Sequence, residues 1–555
     1  VVMAQINVTV GDIPGNTDRL LEAAREAIEH HGADLVVFPE LAITGYPPED
    51  LLLRPSIVPR VKEALERLRR AELPATLILG SPLSGDSGLY NAGVVIHSGQ
   101  SHPPACKQHL PNYHVFDEAR YFRVGKGTAI FDIHGIRTAL TVCEDLWYEG
   151  PIAEAAANGA QLLININASP YHLEKLTARE ALLEQRSREH GLPILYVNLV
   201  GGQDELVFDG ASMVFDDRGK KVVQAPQFEA GLYPLEVVLE GERCKPVGQA
   251  PAETLSLEAA AYRALVLGLR DYIGKNAFPS VVLGLSGGID SALTLAVAVD
   301  ALGADRVTAV MMPFRYTSSM SLEDAEALAA NLGVRYQVVP IESTYDAFME
   351  TLSGPFGDRP VDTTEENLQA RIRGTLLMSL SNKFGSIVLT TGNKSELAVG
   401  YSTLYGDMAG GFSVIKDVPK TLVYRLSRWR NCEGEVIPRR IIERAPSAEL
   451  APDQKDEDSL PPYEVLDQIL ERYVEQDESA ETIIAAGFDR EAVTHAVRLV
   501  DINEYKRQQA PVGTRITRRG FGKDRRYPIT NRWKPGVQAL LGFLSQRAEG
   551  DVVEQ

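Results

Sequence analysis

Two groups of residues in this sequence have side-chain types that could carry chemistry. The first group is Glu40, Lys107 and Cys143, which stand in the segments VVFPE, ACK and TVCED. A cysteine thiol is a weak nucleophile near pH 7, so it needs a base to take its proton and a cation to stabilise the oxyanion. A carboxylate and an ammonium supply these functions. An isolated cysteine is usually a small core residue, but the three residues together predict acyl transfer by a cysteine nucleophile.

The second group is the loop SGGIDS at residues 286–291. It follows a short apolar run at 281–285 and precedes an apolar helix pattern at 292–301. Adjacent glycines bring backbone N–H groups close to an anion, and the start of the next helix adds a positive dipole end. The loop therefore predicts phosphate binding, although two glycines alone could be a small-residue turn. It is not a P-loop, because no Gly-Lys-Ser/Thr follows the glycines.

Composition limits the classes of function. A chain of 555 residues predicts at least two domains, and 44% apolar and 24% charged residues are typical of a globular protein. The net charge of −19 argues against general binding of nucleic acid or of anionic membranes. Four cysteines without CxxC spacing favour a reducing compartment over disulfides or zinc. With no signal-like start and no apolar run of about 20 residues, we expect a cytoplasmic protein with small-molecule partners.

Strand and helix patterns alternate through residues 1–245 and predict a layered α/β sandwich. Glu40 and Cys143 follow predicted strands directly. The predicted strands are 4–10, 34–38, 76–79, 92–97, 137–142, 161–166 and 194–198, and the predicted helices are 18–31, 56–71, 152–158 and 177–190.

The second half repeats strand and helix patterns and predicts a doubly wound, Rossmann-like parallel sheet, which binds ligands at the carboxyl ends of its strands. Residues 237–255 are rich in charge, proline and glycine, so we interpret them as a connection. The predicted domains are 1–245 and 263–555, with a linker at 246–262. The predicted helices are 257–273, 292–302, 321–332 and 365–384, and the predicted strands are 281–285, 307–312, 336–340 and 386–389.

The segments around Glu40, Lys107 and Cys143 resemble the nitrilase superfamily over residues 1–245. In that superfamily a Glu–Lys–Cys triad hydrolyses carbon–nitrogen bonds, which implies a base, an oxyanion-stabilising cation and a nucleophile at these positions. The resemblance adds Glu118 as a second glutamate that positions Lys107. For the glutaminase branch the resemblance implies that Tyr113, Ser169 and Lys175 contact glutamine. Ser169 and Lys175 stand in the segment NASPYHLEK, for which a purely structural turn remains an alternative.

The SGGIDS loop resembles that of the ATP pyrophosphatases, and TTGNKSE at 390–396 resembles the second signature of NAD synthetases. This implies ATP as co-substrate, with Mg²⁺ near Asp290 and Glu396. The implied ATP contacts are Gly284, Leu285, Ser286, Gly287, Gly288, Ile289, Asp290, Ser291, Thr391 and Lys420. The implied contacts to the dinucleotide deamido-NAD⁺ are Asn367, Glu396 and Lys506, with Lys523 a weaker match.

Three later segments add to this resemblance. Residues 401–420 resemble a substrate-covering loop, in which Lys416 and Lys420 could neutralise phosphate. The segment PSAEL at 446–450 and the acidic stretch after it match the glutamine-dependent branch. Residues 506–526 hold eight basic residues and one acid, Asp524, and so predict an anion partner. Dinucleotide phosphates, an acidic neighbouring subunit and nucleic acid remain open, and the net charge disfavours the last.

Taken together, the two halves resemble the glutamine-dependent NAD⁺ synthetases. That family implies that glutamine supplies ammonia to ATP-activated deamido-NAD⁺, giving NAD⁺, AMP, pyrophosphate and glutamate, and it implies a homo-oligomer. Other pyrophosphatases that form amide or amine bonds, such as GMP or asparagine synthetases, are the nearest alternative. They usually pair the loop with a different type of glutaminase. A metabolite-binding protein with inactive sites is the alternative from another class.

Overall fold

The computed structural model describes residues 1–97, 100–445, 449–451 and 460–531. The chain divides into two compact units, Val1–Lys275 and Asn276–Gln555. Among the described residues, no helix is both long enough and apolar enough to cross a membrane.

Within its described residues, the first unit contains two large sheets and five α-helices. One sheet has the order β16-β15-β1-β2-β3-β4-β5, with β6 paired to β4, and the other has the order β14-β13-β10-β9-β8-β7. The strands are β1 (Val2–Gln5), β2 (Leu35–Val37), β3 (Thr76–Gly85), β4 (Gly88–His97), β5 (Gln100–Ser101), β6 (Ala105–Cys106), β7 (Ala129–Ile133), β8 (Ile136–Val142), β9 (Leu162–Asn167), β10 (Ile194–Asn198), β11 (Val200–Gln203), β12 (Leu206–Asp209), β13 (Met213–Phe215), β14 (Lys221–Gln224), β15 (Gly231–Glu240) and β16 (Arg243–Gly248). The helices are α1 (Ile13–His31), α2 (Ile57–Arg70), α3 (Glu149–Ala157), α4 (Lys175–His190) and α5 (Leu257–Lys275).

Alternating side chains on the strands build the layers. In β8, Leu140 belongs to the core between the two sheets, whereas Ala139 belongs to the core between this sheet and helices α3 and α4. In β9, Ile164 and Leu163 divide in the same way. Successive strand residues point to opposite faces, so each sheet has an apolar face on both sides. The result confirms the predicted nitrilase-like α/β sandwich, with helices outside two packed sheets.

In the part of the second unit that the structure describes, one five-stranded sheet has the order β19-β18-β17-β20-β21, and each of its strand pairs is parallel. This order confirms the predicted doubly wound fold, and its direction reverses between β17 and β20, where such sheets bind ligands. The strands are β17 (Val281–Gly284), β18 (Val307–Met311), β19 (Arg335–Val338), β20 (Ile387–Thr390) and β21 (Phe412–Ser413). The helices are α6 (Ile289–Leu302), α7 (Ser319–Leu332), α8 (Glu342–Phe356), α9 (Thr363–Phe384), α10 (Lys394–Val399), α11 (Lys420–Arg430), α12 (Arg439–Glu443), α13 (Tyr463–Leu470), α14 (Ala480–Ala485), α15 (Arg490–Ile502) and α16 (Glu504–Arg507).

Several predicted boundaries differ from the structure; α1, for example, begins at Ile13 rather than at residue 18, and β3 extends to Gly85 rather than to residue 79. The first strand ends at Gln5 rather than at residue 10, since later residues bond elsewhere; the Asn7 side chain, for instance, donates to Asp271 at 2.7 Å. The segment 237–255, interpreted as a connection, contains the end of β15 and all of β16. This hairpin is largely exposed, so its apolar pattern is weak. The domain limits 245 and 263 stay a prediction.

Helix α5 packs within the first unit. The Asp271 carboxylate accepts hydrogen bonds from the Asn7 side chain and from the Gly202 backbone N–H, each at 2.7 Å. The Lys275 ammonium donates to the carbonyl oxygens of Val8 and Gly202. These contacts tie the end of α5 to β11 and to the segment after β1.

We expect Asp271→Ala to loosen this attachment. It leaves the buried Gly202 N–H without its acceptor, which costs about 1–3 kcal/mol. Hydrogen exchange measured by mass spectrometry should become about 10- to 100-fold faster in peptides covering α5 and β11. Arg263→Ala on the same helix, which removes only an exposed ion pair to Glu229, is the control and should change exchange little. Equal exchange in the two variants would contradict the attachment.

Candidate active sites

In the first unit, strand ends position the three predicted chemical groups. Glu40 stands three residues after β2, Lys107 directly after β6, and Cys143 directly after β8 as the first residue of a 3₁₀ turn, Cys143–Trp147. The side chains of Glu40 and Lys107 are buried. Gly80 in β3 permits the chain to pass here, because a Cβ at that position would lie 2.5 Å from the Glu40 Cα.

Lys107 lies between two carboxylates. Its Nζ donates to Glu40 Oε1 and to Glu118 Oε1, each at 2.8 Å. Burial by itself lowers the pKa of Lys107, but Glu118 and Glu40 more than compensate and hold that pKa well above its usual value. Lys107 is therefore a permanent buried cation. Burial also raises the pKa of Glu118, while Lys107 opposes the rise and Glu40 adds to it.

Neighbouring groups hold the two glutamates in place. The Asn91 side chain donates to Glu40 Oε1 at 2.7 Å, and the backbone N–H of Ala168 donates to Glu40 Oε2 at 2.9 Å. The Tyr46 hydroxyl donates to Glu118 Oε1 at 2.8 Å. Asn91 also donates to Glu118 Oε2 at 3.4 Å, so each of the four glutamate oxygens has a hydrogen-bond donor that fixes its orientation.

Cys143 sits in an unusual backbone conformation, with φ of 45°. A residue other than glycine in the left-handed region costs about 1–3 kcal/mol, and such strain clusters at functional sites. Burial and the nearby Glu40 carboxylate raise the pKa of the Cys143 thiol well above its usual value, although Lys107 opposes the rise. The resting thiol is therefore neutral, and its proton must leave as the sulfur reacts.

The three predicted glutamine contacts lie around this site. The Tyr113 hydroxyl donates to Glu144, the residue after Cys143, at 2.7 Å. Ser169 follows Ala168, whose N–H contacts Glu40, and the Lys175 ammonium lies 4.1 Å from the ring centre of Trp147, where the Cys143 turn ends. The structure thus brings the three residues to the surroundings of Cys143, and their contact with glutamine stays a prediction.

In the second unit, the predicted phosphate loop connects β17 to α6. The backbone N–H groups of Ser286 and Gly288 donate to the hydroxyls of Ser291 and Ser286, and the Ser291 hydroxyl donates to the Gly288 carbonyl. Gly287 has φ of 81°, and a Cβ there would lie 2.8 Å from the Ser321 Cα. Only glycine fits this close approach in this conformation.

A second buried lysine joins this loop to the neighbouring strand end. Lys420, the first residue of α11, donates from Nζ to Asp290 Oδ2 at 2.5 Å and to Glu396 Oε1 at 3.1 Å. Burial lowers the pKa of Lys420, but these two carboxylates more than offset this and raise it above its usual value. The Asn393 side chain donates to Asp290 Oδ1 at 2.9 Å and caps α10 by accepting from the Glu396 N–H. The two carboxylates proposed from sequence to lie near a metal ion therefore meet at one point.

A third buried lysine, Lys394, is the first residue of α10. The Lys394 ammonium contacts Asp417 at 3.0 Å, Glu475 at 2.7 Å, the Thr517 hydroxyl at 2.6 Å and the Arg519 carbonyl at 2.9 Å. Asp417 in turn accepts from the backbone N–H of Thr517. This network ties the helix that carries Glu396 to the C-terminal part of the described chain.

The remaining predicted residues of the second unit lie beside the segment that follows α10. The Thr403 hydroxyl donates to Asn367 at 2.8 Å, and Lys506 donates to the carbonyls of Gly400 and Ser402. Thr391 lies between β20 and α10, at the same carboxyl end as the phosphate loop. The Lys416 ammonium contacts the Pro511 carbonyl. Residues 446–448 and 452–459, which hold most of the PSAEL segment and the acidic stretch, lie outside the described residues.

The basic cluster at 506–526 pairs with acidic residues of its own unit, an anion source other than the three considered from the sequence. Several of its arginines pair with acids of the same unit. The pairs are Arg507–Glu504, Arg515–Asp524, Arg519–Asp477 and Arg525–Glu504. Buried charges need such pairing, so much of this positive charge supports the fold.

Sequence reasoning missed several residues of these sites. Asn393 could have been found, because Asn followed by Glu three residues later is a helix-capping pattern. Asn91 had no local signal, since its partner Glu40 is 51 residues away in sequence.

Comparisons with known proteins match the two parts of the chain to two different families. Residues 1–243 match the carbon-nitrogen hydrolase family and residues 261–510 match the NAD synthase family. The glutamine-dependent NAD(+) synthetase of Acinetobacter baylyi is 48% identical over 538 residues, which cover 96% of this chain and 99% of that protein. The Thermotoga maritima enzyme of the same name is 45% identical over 572 residues, with the same coverage of both proteins.

A solved structure is also similar. It is the glutamine-dependent NAD+ synthetase of Acinetobacter baumannii in complex with adenosine diphosphate, with a TM-score of 0.78 and 46% identity over 96% of this chain and 99% of that chain. Fold and sites thus define a protein that joins a carbon–nitrogen hydrolase unit to an NAD synthase unit. The chain belongs to the family of glutamine-dependent NAD(+) synthetases.

Gly287→Ala should damage the second site selectively. The added methyl group would collide with the Ser321 backbone in a conformation that disfavours alanine, so the loop must shift. We expect NAD⁺ formation from ammonium chloride to fall at least about tenfold, since small displacements of positioning groups are costly. Gly354→Ala in α8, where a methyl group meets no atom within 4 Å, is the control. A wild-type rate for Gly287→Ala would show that the loop does not need this geometry.

Proposed function

We propose that this chain makes NAD⁺ from deamido-NAD⁺, with glutamine as nitrogen donor and ATP as the activating co-substrate. Glutamate, AMP and pyrophosphate are the other products. The observation that carries this proposal is the pairing of a Glu–Lys–Cys site in one unit with an SGGIDS loop and its Lys420-linked carboxylates in the other.

In the first unit, the Cys143 sulfur attacks the side-chain amide carbon of glutamine. The raised pKa of Cys143 keeps the proton on the resting thiol, and Glu40 accepts that proton during the attack. Lys107 stabilises the oxyanion, because it is a permanent cation held 2.8 Å from Glu118 in a buried site. Glu118 thus acts on the reaction by positioning Lys107.

The next steps transfer the proton to the leaving group and restore the thiol. The carbon–nitrogen bond breaks as Glu40 returns the proton to the amide nitrogen, which leaves as ammonia, and a glutamyl thioester remains on Cys143. Glu40 next removes a proton from water, whose oxygen attacks the thioester carbon. Glutamate leaves and the thiol recovers its proton. Tyr113, Ser169 and Lys175 are the proposed contacts for the bound glutamine.

In the second unit, residues 284–291 and Thr391 are proposed to hold ATP, with Lys420 opposite its phosphates. The carboxylate of deamido-NAD⁺ attacks the α-phosphorus and pyrophosphate leaves, so that an adenylated acid forms. Ammonia then attacks the activated carbonyl carbon and AMP departs. Asn367, Glu396 and Lys506 are the proposed dinucleotide contacts, and Lys523 is a weaker candidate.

Asp290 and Glu396 are the proposed groups for Mg²⁺. Among the described residues there is no group of three or more His, Cys, Asp or Glu side chains that could hold a metal ion. Two carboxylates that share one ammonium nevertheless fit Mg²⁺, which usually takes one or two carboxylates together with substrate phosphates and water. When bound, the ion would neutralise phosphate charge.

The proposal includes a reducing, cytoplasmic setting and self-association. All four cysteines are free, which suits such a setting. Self-association is supported by the family resemblance alone.

Cys143→Ala tests the separation of the two reactions. Without the thiol no glutamyl thioester forms, so glutamine-driven NAD⁺ synthesis should fall to background. Synthesis from ammonium chloride should stay within about twofold of wild type, because the substitution removes little volume. Cys432→Ala, which removes an exposed thiol, is the control and should leave both rates unchanged. Retained glutamine-driven synthesis in Cys143→Ala would exclude this nucleophile.

Asp290→Ala tests the second reaction. NAD⁺ formation should fall at least about 100-fold with either nitrogen source, the loss expected when a group that manages transition-state charge is removed. Asp305→Ala, at an exposed position of the same unit, should behave as wild type. In the wild type, chromatography should detect AMP and pyrophosphate in step with NAD⁺. ADP and inorganic phosphate as products would overturn the proposed activation.

A further inference from the structure

Asp145 is a buried carboxylate that the proposed reaction does not use. It lies in the 3₁₀ turn that Cys143 begins, and only 1% of its surface is exposed. Its Oδ1 accepts hydrogen bonds from the backbone N–H groups of Gln108 and His109, each at 2.8 Å. Its Oδ2 accepts from the backbone N–H of Val142 at 3.2 Å. One side chain therefore holds three backbone donors.

These donors come from two segments that are distant in sequence. Gln108 and His109 directly follow Lys107, and Val142 directly precedes Cys143. Asp145 thus connects the backbone that carries the cation to the backbone that carries the nucleophile. Lys107 is held from its other side as well, since its N–H donates to the Asn91 carbonyl and its carbonyl accepts from Gly125, each at 2.8 Å.

A carboxylate suits this position better than any other side chain. Both of its oxygens accept, whereas an amide of the same shape would turn one NH₂ group toward a backbone donor. Burial raises the pKa of Asp145 to about 7, although the N–H groups of His109, Val142 and Gln108 and the Lys107 charge oppose that rise. Burying a carboxylate costs free energy unless hydrogen bonds offset that cost, and the three backbone N–H groups supply those bonds.

The strained backbone of Cys143 also indicates that its surroundings hold it in place. A non-glycine residue with φ of 45° persists only when its surroundings determine its conformation. The bond from the Val142 N–H fixes the Thr141–Val142 peptide, one residue before Cys143. The bonds from the N–H groups of Gln108 and His109 fix the two successive peptides that follow Lys107.

We propose that Asp145 is a positioning residue of the amide-hydrolysing site, which sets Lys107 relative to Cys143 without touching glutamine. The proposal rests on the proposed function of the first unit. Asp145 acts through backbone geometry, so its loss should slow the chemical step and leave glutamine affinity and the second unit intact.

The test is Asp145→Asn, measured with glutamine and with ammonium chloride. We expect kcat with glutamine to fall about 100-fold, the effect of displacing a reacting group by about 1 Å, while KM for glutamine changes less than about threefold. Synthesis from ammonium chloride should equal that of wild type. The control is Asp132→Asn, which changes an exposed carboxylate of β7 that accepts from the Gly135 N–H at 2.9 Å, and it should leave both activities unchanged.

Three results would overturn the proposal: an unchanged kcat with glutamine, a raised KM with normal kcat, or an equal loss with both nitrogen sources. If Asp145→Asn does not fold, Asp145→Glu keeps the charge but displaces the oxygens, and an unchanged kcat would then overturn the proposal. Cys143→Ala in the same assay distinguishes failure of the proposed function from failure of the role of Asp145. If Cys143→Ala retains glutamine-driven activity, the proposed nucleophile is wrong. If Cys143→Ala loses that activity while Asp145→Asn keeps all of it, only the role of Asp145 is wrong.

Discussion

In each unit a buried lysine ammonium is shared by two carboxylates that come from distant parts of the chain. Lys107 lies between Glu40 and Glu118, and Lys420 lies between Asp290 and Glu396. A buried cation is tolerated only when it is paired and hydrogen-bonded, so each lysine requires both partners to arrive at one point. Much of the surrounding structure meets this requirement. Glu40, Asp290 and Glu396 come shortly after strand ends. The Asn91 and Asn393 side chains donate to carboxylate oxygens that the lysines do not contact, Glu118 Oε2 at 3.4 Å and Asp290 Oδ1 at 2.9 Å.

The surroundings of the two lysines differ, and so does the chemistry proposed for each. The first is fully buried beside a thiol whose pKa is raised, which suits a site where one proton moves among a few fixed groups. Around the second, Asp290 and Glu396 keep about a sixth of their side-chain surface exposed, beside a loop whose backbone turns tightly on Gly287. Exposed carboxylate oxygens beside backbone donors suit a large anion that arrives with its own cation.

Behind both sites a second set of buried charges fixes the backbone. Asp145 holds the segments of Lys107 and Cys143 by three N–H bonds. In the other unit, Lys394 links α10 to Asp417, Glu475 and the segment around Thr517. Such groups act on chemistry indirectly, because the position of a reacting side chain depends on the peptide that carries it.

The sequence by itself determined the local parts: where most strands lie, where a glycine loop turns into a helix, and that a glutamate and a cysteine stand at strand ends. These features depend on residue periodicity and on glycine and capping residues, which act over a few positions. The exposed hairpin at 231–248 escaped prediction, since an edge with little burial leaves a weak apolar pattern. Only the tertiary structure decided that Lys420 meets Asp290 across 130 residues, that Asn91 supports Glu40, and that acids of the same unit neutralise much of the C-terminal basic cluster. The physical reason is that these partners are chosen by sheet order and by packing between distant segments, and no local pattern records either.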